Sequence, residues 1–318
     1  MSGEPGHPRA GTKDFLSVLD LSGSELVALL DLAARLKQER ALGANAPTAG
    51  ALRGKHVALI FEKPSLRTRA TFEIAVRELG ADALHVPPSS IDGQREPLED
   101  IARNLERWVH GVVLRTFAQA KALAIGTAAS RLHVVNALTD EEHPCQALAD
   151  ALTLREHWGG WQGRTLAYVG DGNNVAVSLS HIAARLGMHF RIATPAGYEL
   201  PTAAVDAFAA IATGGATLTA VHDPVEGVRG ADAVYTDVWT SMGQEAEADQ
   251  RRRLFAPYQV NAALMAAAAP GAKFLHCLPA HRGEEVTADV FESPASVVFD
   301  QAENRLHTQK ALLLMLLG

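Results

Sequence analysis

The chain has 318 residues, 47% apolar and 20% charged, which supplies a sizeable core, rules out a disordered chain and sets a prior of two domains. Lys+Arg is 29 and Asp+Glu 36, a formal charge of −7; with no basic run this argues against nucleic acid or an anionic membrane as partner, so any anion site must be built locally. Two cysteines do not make a disulfide scaffold and point to a reducing, cytoplasmic compartment; residues 1–13 lack the apolar stretch of a secretory signal, and the apolar runs at 262–269 and 311–317 are too short to span a bilayer.

Residues 24–40 carry Leu26, Leu29, Leu30, Leu32, Ala33 and Leu36 at helical spacing and predict a helix. Residues 56–61 (HVALIF) predict a buried strand, and a helix opens at Ser65 and stops at Gly80. Strands are expected at 83–86, 111–115 and 133–137. Helices are expected at 97–108, 118–123 and 143–158, with Pro97 in a first turn. This alternation argues a parallel sheet covered on both faces. Gly159-Gly160 interrupts the chain, with a hinge expected near 150–162, and the alternation restarts. Strands are expected at 164–169, 190–194, 217–221, 233–236, 273–276 and 296–299. Helices are expected at 174–186, 202–212 and 301–317. The fold class is α/β, in two parallel-sheet halves.

Six segments carry candidate chemistry. Ser65-Leu66-Arg67-Thr68-Arg69 follows a strand and opens a helix, where unpaired N–H groups, hydroxyls and an arginine fork suit a phosphate. The alternative is an ordinary capped helix with two solvated arginines. Arg115-Thr116 ends a strand, where open parallel sheets bind ligands; an arginine simply leaving for solvent fits as well. His143-Pro144-Cys145-Gln146 opens a helix, so His143 sits near the N-cap and can donate one hydrogen bond to a substrate oxygen, or serve structure alone. No second His or Cys stands at metal-ligand spacing from it.

Gly170-Asp171-Gly172-Asn173-Asn174 lies between strand and helix, but Val175 replaces the third glycine of a dinucleotide loop. Its asparagines are turn formers or amide donors to a substrate. Asp237 at a strand end, before the short loop Trp239-Thr240-Ser241-Met242-Gly243, suits an amine; the alternative is a surface loop. His276-Cys277-Leu278-Pro279 offers a thiol near such an amine, or a buried structural cysteine.

Together these segments resemble the transcarbamylase family over essentially the whole chain. Residues 65–69 look like its S-T-R-T-R carbamoyl phosphate motif, and 143–146 like its H-P-x-Q. Residues 237–243 are similar to the D-x-x-x-S-M-G loop of the ornithine-specific branch, and 276–279 to its H-C-L-P. Arg305 stands where the family has an arginine in the last helix. Leu66 replaces a threonine, and Ile91 stands where the family has a glutamine.

The resemblance implies two α/β domains joined by helices. Residues 1–150, completed by 303–318, would bind carbamoyl phosphate, and residues 151–302 would bind ornithine. It implies transfer of the carbamoyl group to the δ-amine of L-ornithine, giving L-citrulline and phosphate, with no metal or cofactor, in a homotrimer. Ser65, Leu66, Arg67 and Thr68 would hold the phosphate. Arg115, His143 and Arg305 would face the carbonyl oxygen, and Gln146 the carbamoyl amide. Asn174, Asp237, Ser241 and Met242 would hold ornithine, with Cys277 and Leu278 near its δ-amine and also against carbamoyl phosphate. Asp237 and Cys277 are the candidates coupled to the amine proton, and closure about the hinge would exclude water. Rivals are a transcarbamylase for putrescine, N-acetylornithine or aspartate, a non-catalytic relative, and a dinucleotide-dependent oxidoreductase.

Overall fold

The structure is a computed structural model and describes residues 8–93, 95–240 and 245–318. In chain order the elements begin α1 (Gly23–Glu39), β1 (His56–Phe61), α2 (Leu66–Glu78), β2 (Asp82–Val86), α3 (Leu98–Trp108), β3 (Gly111–Arg115), α4 (Gln119–Ala128), β4 (His133–Leu138) and α5 (Pro144–Trp158). They continue β5 (Thr165–Val169), α6 (Asn174–Leu186), β6 (His189–Ala193), α7 (Thr202–Ile211), β7 (Leu218–Val221), α8 (Pro224–Val228) and β8 (Ala233–Thr236). The last are α9 (Ala248–Phe255), α10 (Ala262–Ala267), β9 (Lys273–His276), α11 (Ala288–Phe291) and α12 (Val298–Leu317). The chain divides into two compact units, Met1–Leu152 with Glu303–Gly318, and Thr153–Ala302.

The first unit holds a parallel sheet of order β2-β1-β3-β4. Its inner strands read as near-continuous apolar runs because both faces are covered; Ala58, Ile60, Val112, Leu114 and Val134 pack into one core with Ile101, Leu105 and Ile125. Ile91 is fully buried in that core. The strand order reverses between β1 and β3. There the register sets Phe61 beside Arg115, and a shift at Leu114/Arg115 sets Arg115 opposite Leu138. The segments after β1, β3 and β4 are thereby gathered at one sheet edge, the crevice in which open α/β sheets bind ligands.

The second unit holds a parallel sheet of order β7-β6-β5-β8-β9. Its order reverses between β5 and β8, and Val169, Thr236 and His276 end adjacent strands in register. Its core joins Ala167, Val169 and Val234 to Phe274, Val286, Phe291 and Val298. The expected strand at 296–299 is corrected: Ser296 makes a single parallel bridge to Phe274, and at Val298 the chain turns into α12. Val297 and Val298 are buried, so their apolar character serves packing against the sheet rather than membership of it. Among the described residues no helix is long and apolar enough to cross a membrane.

Candidate active site

In the first unit Ser65 caps α2. Its backbone is extended and its hydroxyl accepts from the Thr68 N–H at 3.2 Å. Leu66, the first helical residue, is 80% exposed, so only its backbone can serve a ligand at the helix start. Arg67 is half-buried and Arg69 exposed. Thr68 is buried, and its Oγ1 accepts from Arg305 Nη2 at 3.0 Å. The other terminal nitrogen of Arg305, Nη1, donates to Gln146 Oε1 at 2.6 Å. Arg305 in α12 therefore bridges the 65–69 segment to the start of α5.

His143 precedes Pro144, the first residue of α5, and is buried. The turn before it is closed by Thr139 N–H donating to the Glu142 carbonyl at 2.9 Å and by Glu142 N–H donating to Thr139 Oγ1 at 3.1 Å. Burial, then the positive charges of Arg305, Arg115 and Lys63, hold the imidazole well below its usual pKa. His143 is neutral at neutral pH and keeps one N–H to donate. Lys63 is buried, ion-paired with Asp140, with its ammonium 4.6 Å from the centre of the Phe117 ring. An acidic chain thus gathers positive charges around His143. Cys145 is structural: fully buried, donating to the Asn136 carbonyl at 3.3 Å, its thiol pushed up to about 12 by burial.

In the second unit Asn173 caps α6, accepting from the N–H groups of Val175 (3.0 Å) and Ala176 (3.2 Å). Its Nδ2 donates to Asp237 Oδ2 at 2.9 Å, and Cys277 Sγ donates to Asp237 Oδ1 at 2.9 Å. Asp237 is buried and each carboxylate oxygen has a donor. Tyr168, whose hydroxyl donates to Asn173 Oδ1 at 3.2 Å, is held well above its usual pKa by burial and then by the charges of Asp237, Asp171 and Cys277. Gly172 is required for close approach: a Cβ there would lie 2.5 Å from the Glu199 carbonyl atoms. This backbone contact accounts for the glycine without any dinucleotide.

His276 and Glu285 are both fully buried. The Nδ1 of His276 accepts from the Leu278 N–H at 2.8 Å, and its Nε2 faces Glu285 Oε1 at 3.2 Å. This holds Leu278 at φ 61° beside the cis Leu278–Pro279 bond. Arg251 from α9 is buried, pairs with Asp171, donates to the Trp239 carbonyl at 2.5 Å and lies 4.7 Å from the centre of the Tyr198 ring. Burial pushes the Asp171 carboxyl up, against the pull of Arg251.

The first unit therefore brings together Ser65, Thr68, Gln146 and Arg305, with His143 close enough to Arg115 and Arg305 to feel their charges. The second brings together Asp237 and Cys277, with Asn174 opening α6 beside Asn173. Leu278 belongs with this second group, although the resemblance also expects it and Cys277 beside the phosphate ligand. Ser241 and Met242 lie outside the described residues. Sequence reasoning missed Lys63, Asp150, Arg251 and Glu285. It read Asn173 as a turn former or an amide donor, but not its bond to Asp237, which joins residues 64 apart.

Both units match models of one transferase family. Residues 13–156 match the model described as aspartate/ornithine carbamoyltransferase, carbamoyl-P binding domain, and residues 162–316 the model for its Asp/Orn binding domain. The chain belongs to the aspartate/ornithine carbamoyltransferase family. An ornithine carbamoyltransferase of Acidothermus cellulolyticus is 53% identical over 308 residues, covering 96% of each chain. One of Thermus thermophilus is 50% identical, covering 96% of this chain and 97% of its own. The solved ornithine carbamoyltransferase of Pyrococcus furiosus superposes with a TM-score of 0.91 at 44% identity, covering 96% of this chain and 97% of that one.

Proposed function

We propose that this chain is an ornithine carbamoyltransferase, moving the carbamoyl group of carbamoyl phosphate to the δ-amine of L-ornithine to give L-citrulline and phosphate. The observation that carries the reading is Arg305, whose two terminal nitrogens join Thr68 of the phosphate-type helix start to Gln146 beside His143. Ser65, the Leu66 amide, Arg67 and Thr68 hold the phosphate. Arg115, Arg305 and the neutral His143 face the carbonyl oxygen as negative charge grows on it; one such donor contributes about 3–4 kcal/mol in the transition state. Gln146 faces the carbamoyl amide.

Asn174, Asp237, Ser241 and Met242 hold the amino-acid end of ornithine, and Cys277 and the Leu278 backbone lie near the attacking amine. That amine, with a lysine-like pKa of about 10.4, attacks only when neutral. Asp237 is charge-complementary to it, and the departing phosphate is basic enough to take its proton. The transfer itself requires no metal or cofactor. We read the assembly as a cytoplasmic homotrimer of 33.8 kDa chains serving arginine biosynthesis; light scattering near about 100 kDa or a multiple supports the trimer, and a fully active monomer contradicts it.

Calorimetry with phosphonoacetamide, a stable analogue of carbamoyl phosphate, tests the division of labour. Arg67→Ala should weaken its binding by about tenfold to a hundredfold, the loss of a charge-assisted hydrogen bond. Asp237→Asn should leave that binding intact and weaken ornithine instead. Equal loss of the phosphonate in both variants would overturn the assignment.

A further inference from the structure

The buried run of hydrogen bonds from Thr68 through Arg305 to Gln146 has one more member, Asp150. It stands four residues after Gln146 on α5, so the two side chains share a helix face. Gln146 Nε2 donates to Asp150 Oδ1 at 2.8 Å, while Gln146 Oε1 accepts from Arg305 Nη1 at 2.6 Å. Asp150, Gln146 and Arg305 are 0%, 2% and 3% exposed. The two ends of an amide have nearly the same shape, so packing alone does not orient them. Here the chemistry at each end does. A carboxylate only accepts and a guanidinium only donates. Turning the amide over would set its oxygen against the carboxylate and its NH2 against the guanidinium. Two charge-assisted hydrogen bonds would be lost at once, in a buried setting where each is strong.

We propose that Asp150 is a specificity-determining positioning residue: it fixes the Gln146 amide with its oxygen as the acceptor offered to the substrate, and so selects a carbamoyl over an acetyl group on the phosphate. The inference rests on the proposed function, in which Gln146 faces the carbamoyl amide. Arg305 engages one lone pair of Gln146 Oε1, and the second is the acceptor for a substrate N–H. A methyl group in place of the substrate NH2 leaves that buried acceptor unmet, the situation in which sites discriminate most strongly. Asp150 acts through Gln146 and does not touch the substrate.

The test is calorimetry on the full-length protein with two stable phosphonates, phosphonoacetamide and acetonylphosphonate, which differ in NH2 against CH3. The parent should prefer the amide by at least about tenfold. Asp150→Asn keeps the shape but presents a group that donates as well as accepts, so the amide keeps only the Arg305 half of its lock. The preference should fall to about threefold or less, mainly through weaker amide binding. In a Gln146→Met background the same substitution should leave the ratio unchanged, because its effect runs through Gln146. Asp150→Ser, smaller than the parent side chain, carries the same readout if Asp150→Asn does not fold. Variants that keep the parent's preference, or weaken both phosphonates equally, overturn the role of Asp150 and leave the proposed function standing. A parent that binds neither phosphonate overturns both.

Discussion

The thiol of Cys277 donates to Asp237 Oδ1 at 2.9 Å, across 40 residues of sequence. The other oxygen of Asp237 is held by Asn173 Nδ2, which makes Asn173 both a helix cap and a support for the acid. The two roles separate by mutation. Asn173→Ser keeps a capping hydroxyl, so it should be about 1 kcal/mol more stable than Asn173→Ala. Both variants lose a hydrogen bond to a charged group, so the KM for ornithine should rise by about tenfold to a hundredfold in each. Thermal melts and steady-state kinetics check this. An unchanged KM in Asn173→Ser would remove Asn173 from the site.

His143 predicts an acid-side loss of stability. Its imidazole is held well below the usual value by burial and by Arg305, Arg115 and Lys63. Below pH about 6.5 the unfolded chain takes a proton that folded His143 refuses, so stability falls as pH drops from there toward the folded value. Above that pH the group adds no pH dependence. Between pH 6.5 and 5.5 the parent should lose up to about 1.4 kcal/mol more than His143→Gln in urea unfolding. Parallel pH profiles for the two proteins would show that His143 does not stay neutral.

Gln309 is buried in α12, and neither of its side-chain amide atoms has a hydrogen-bond partner among the described residues. Replacing an unmet buried polar group by an apolar one of similar size is stabilising or neutral. Gln309→Met should raise the unfolding free energy by about 1 kcal/mol, a few degrees in Tm, with unchanged kcat and KM. A drop in Tm would mean that the amide is satisfied.

Both cysteines are free, Cys145 buried and Cys277 partly exposed. With its thiol pushed up to about 12, Cys145 should resist alkylation in the native protein. Intact mass after iodoacetamide at pH 8 should show at most one adduct, at Cys277, and two after unfolding. A native second adduct would contradict the buried placement.

Much of the architecture was legible because both sheets are parallel and covered on both faces, which writes strands such as HVALIF and GVVLR as unbroken apolar runs. The helix starts at Ser65 and Pro144 followed from capping chemistry. The strand expected at 296–299 failed because Val297 and Val298 are apolar for packing while the chain is already turning into α12. Helix α9 was missed because Arg251 forms part of its buried face, against the apolar periodicity that announces a helix. The site was legible as six separate segments. Its supports were not: Arg305 to Gln146 spans 159 residues and Arg251 to Asp171 spans 80, distances that only the folded sheet order closes.

The identity of the acceptor is tested by product formation from carbamoyl phosphate with ornithine, putrescine, N-acetylornithine and aspartate, side by side. Citrulline and phosphate should form in equal amounts, with kcat/KM for ornithine at least about a hundredfold above the others, because N-acetylornithine leaves the buried Asp237 without the α-ammonium and putrescine leaves the groups that hold the α-carboxylate unmet. Equal or faster carbamoylation of putrescine, which lacks the α-carboxylate, or of N-acetylornithine, which lacks the α-ammonium, would contradict it.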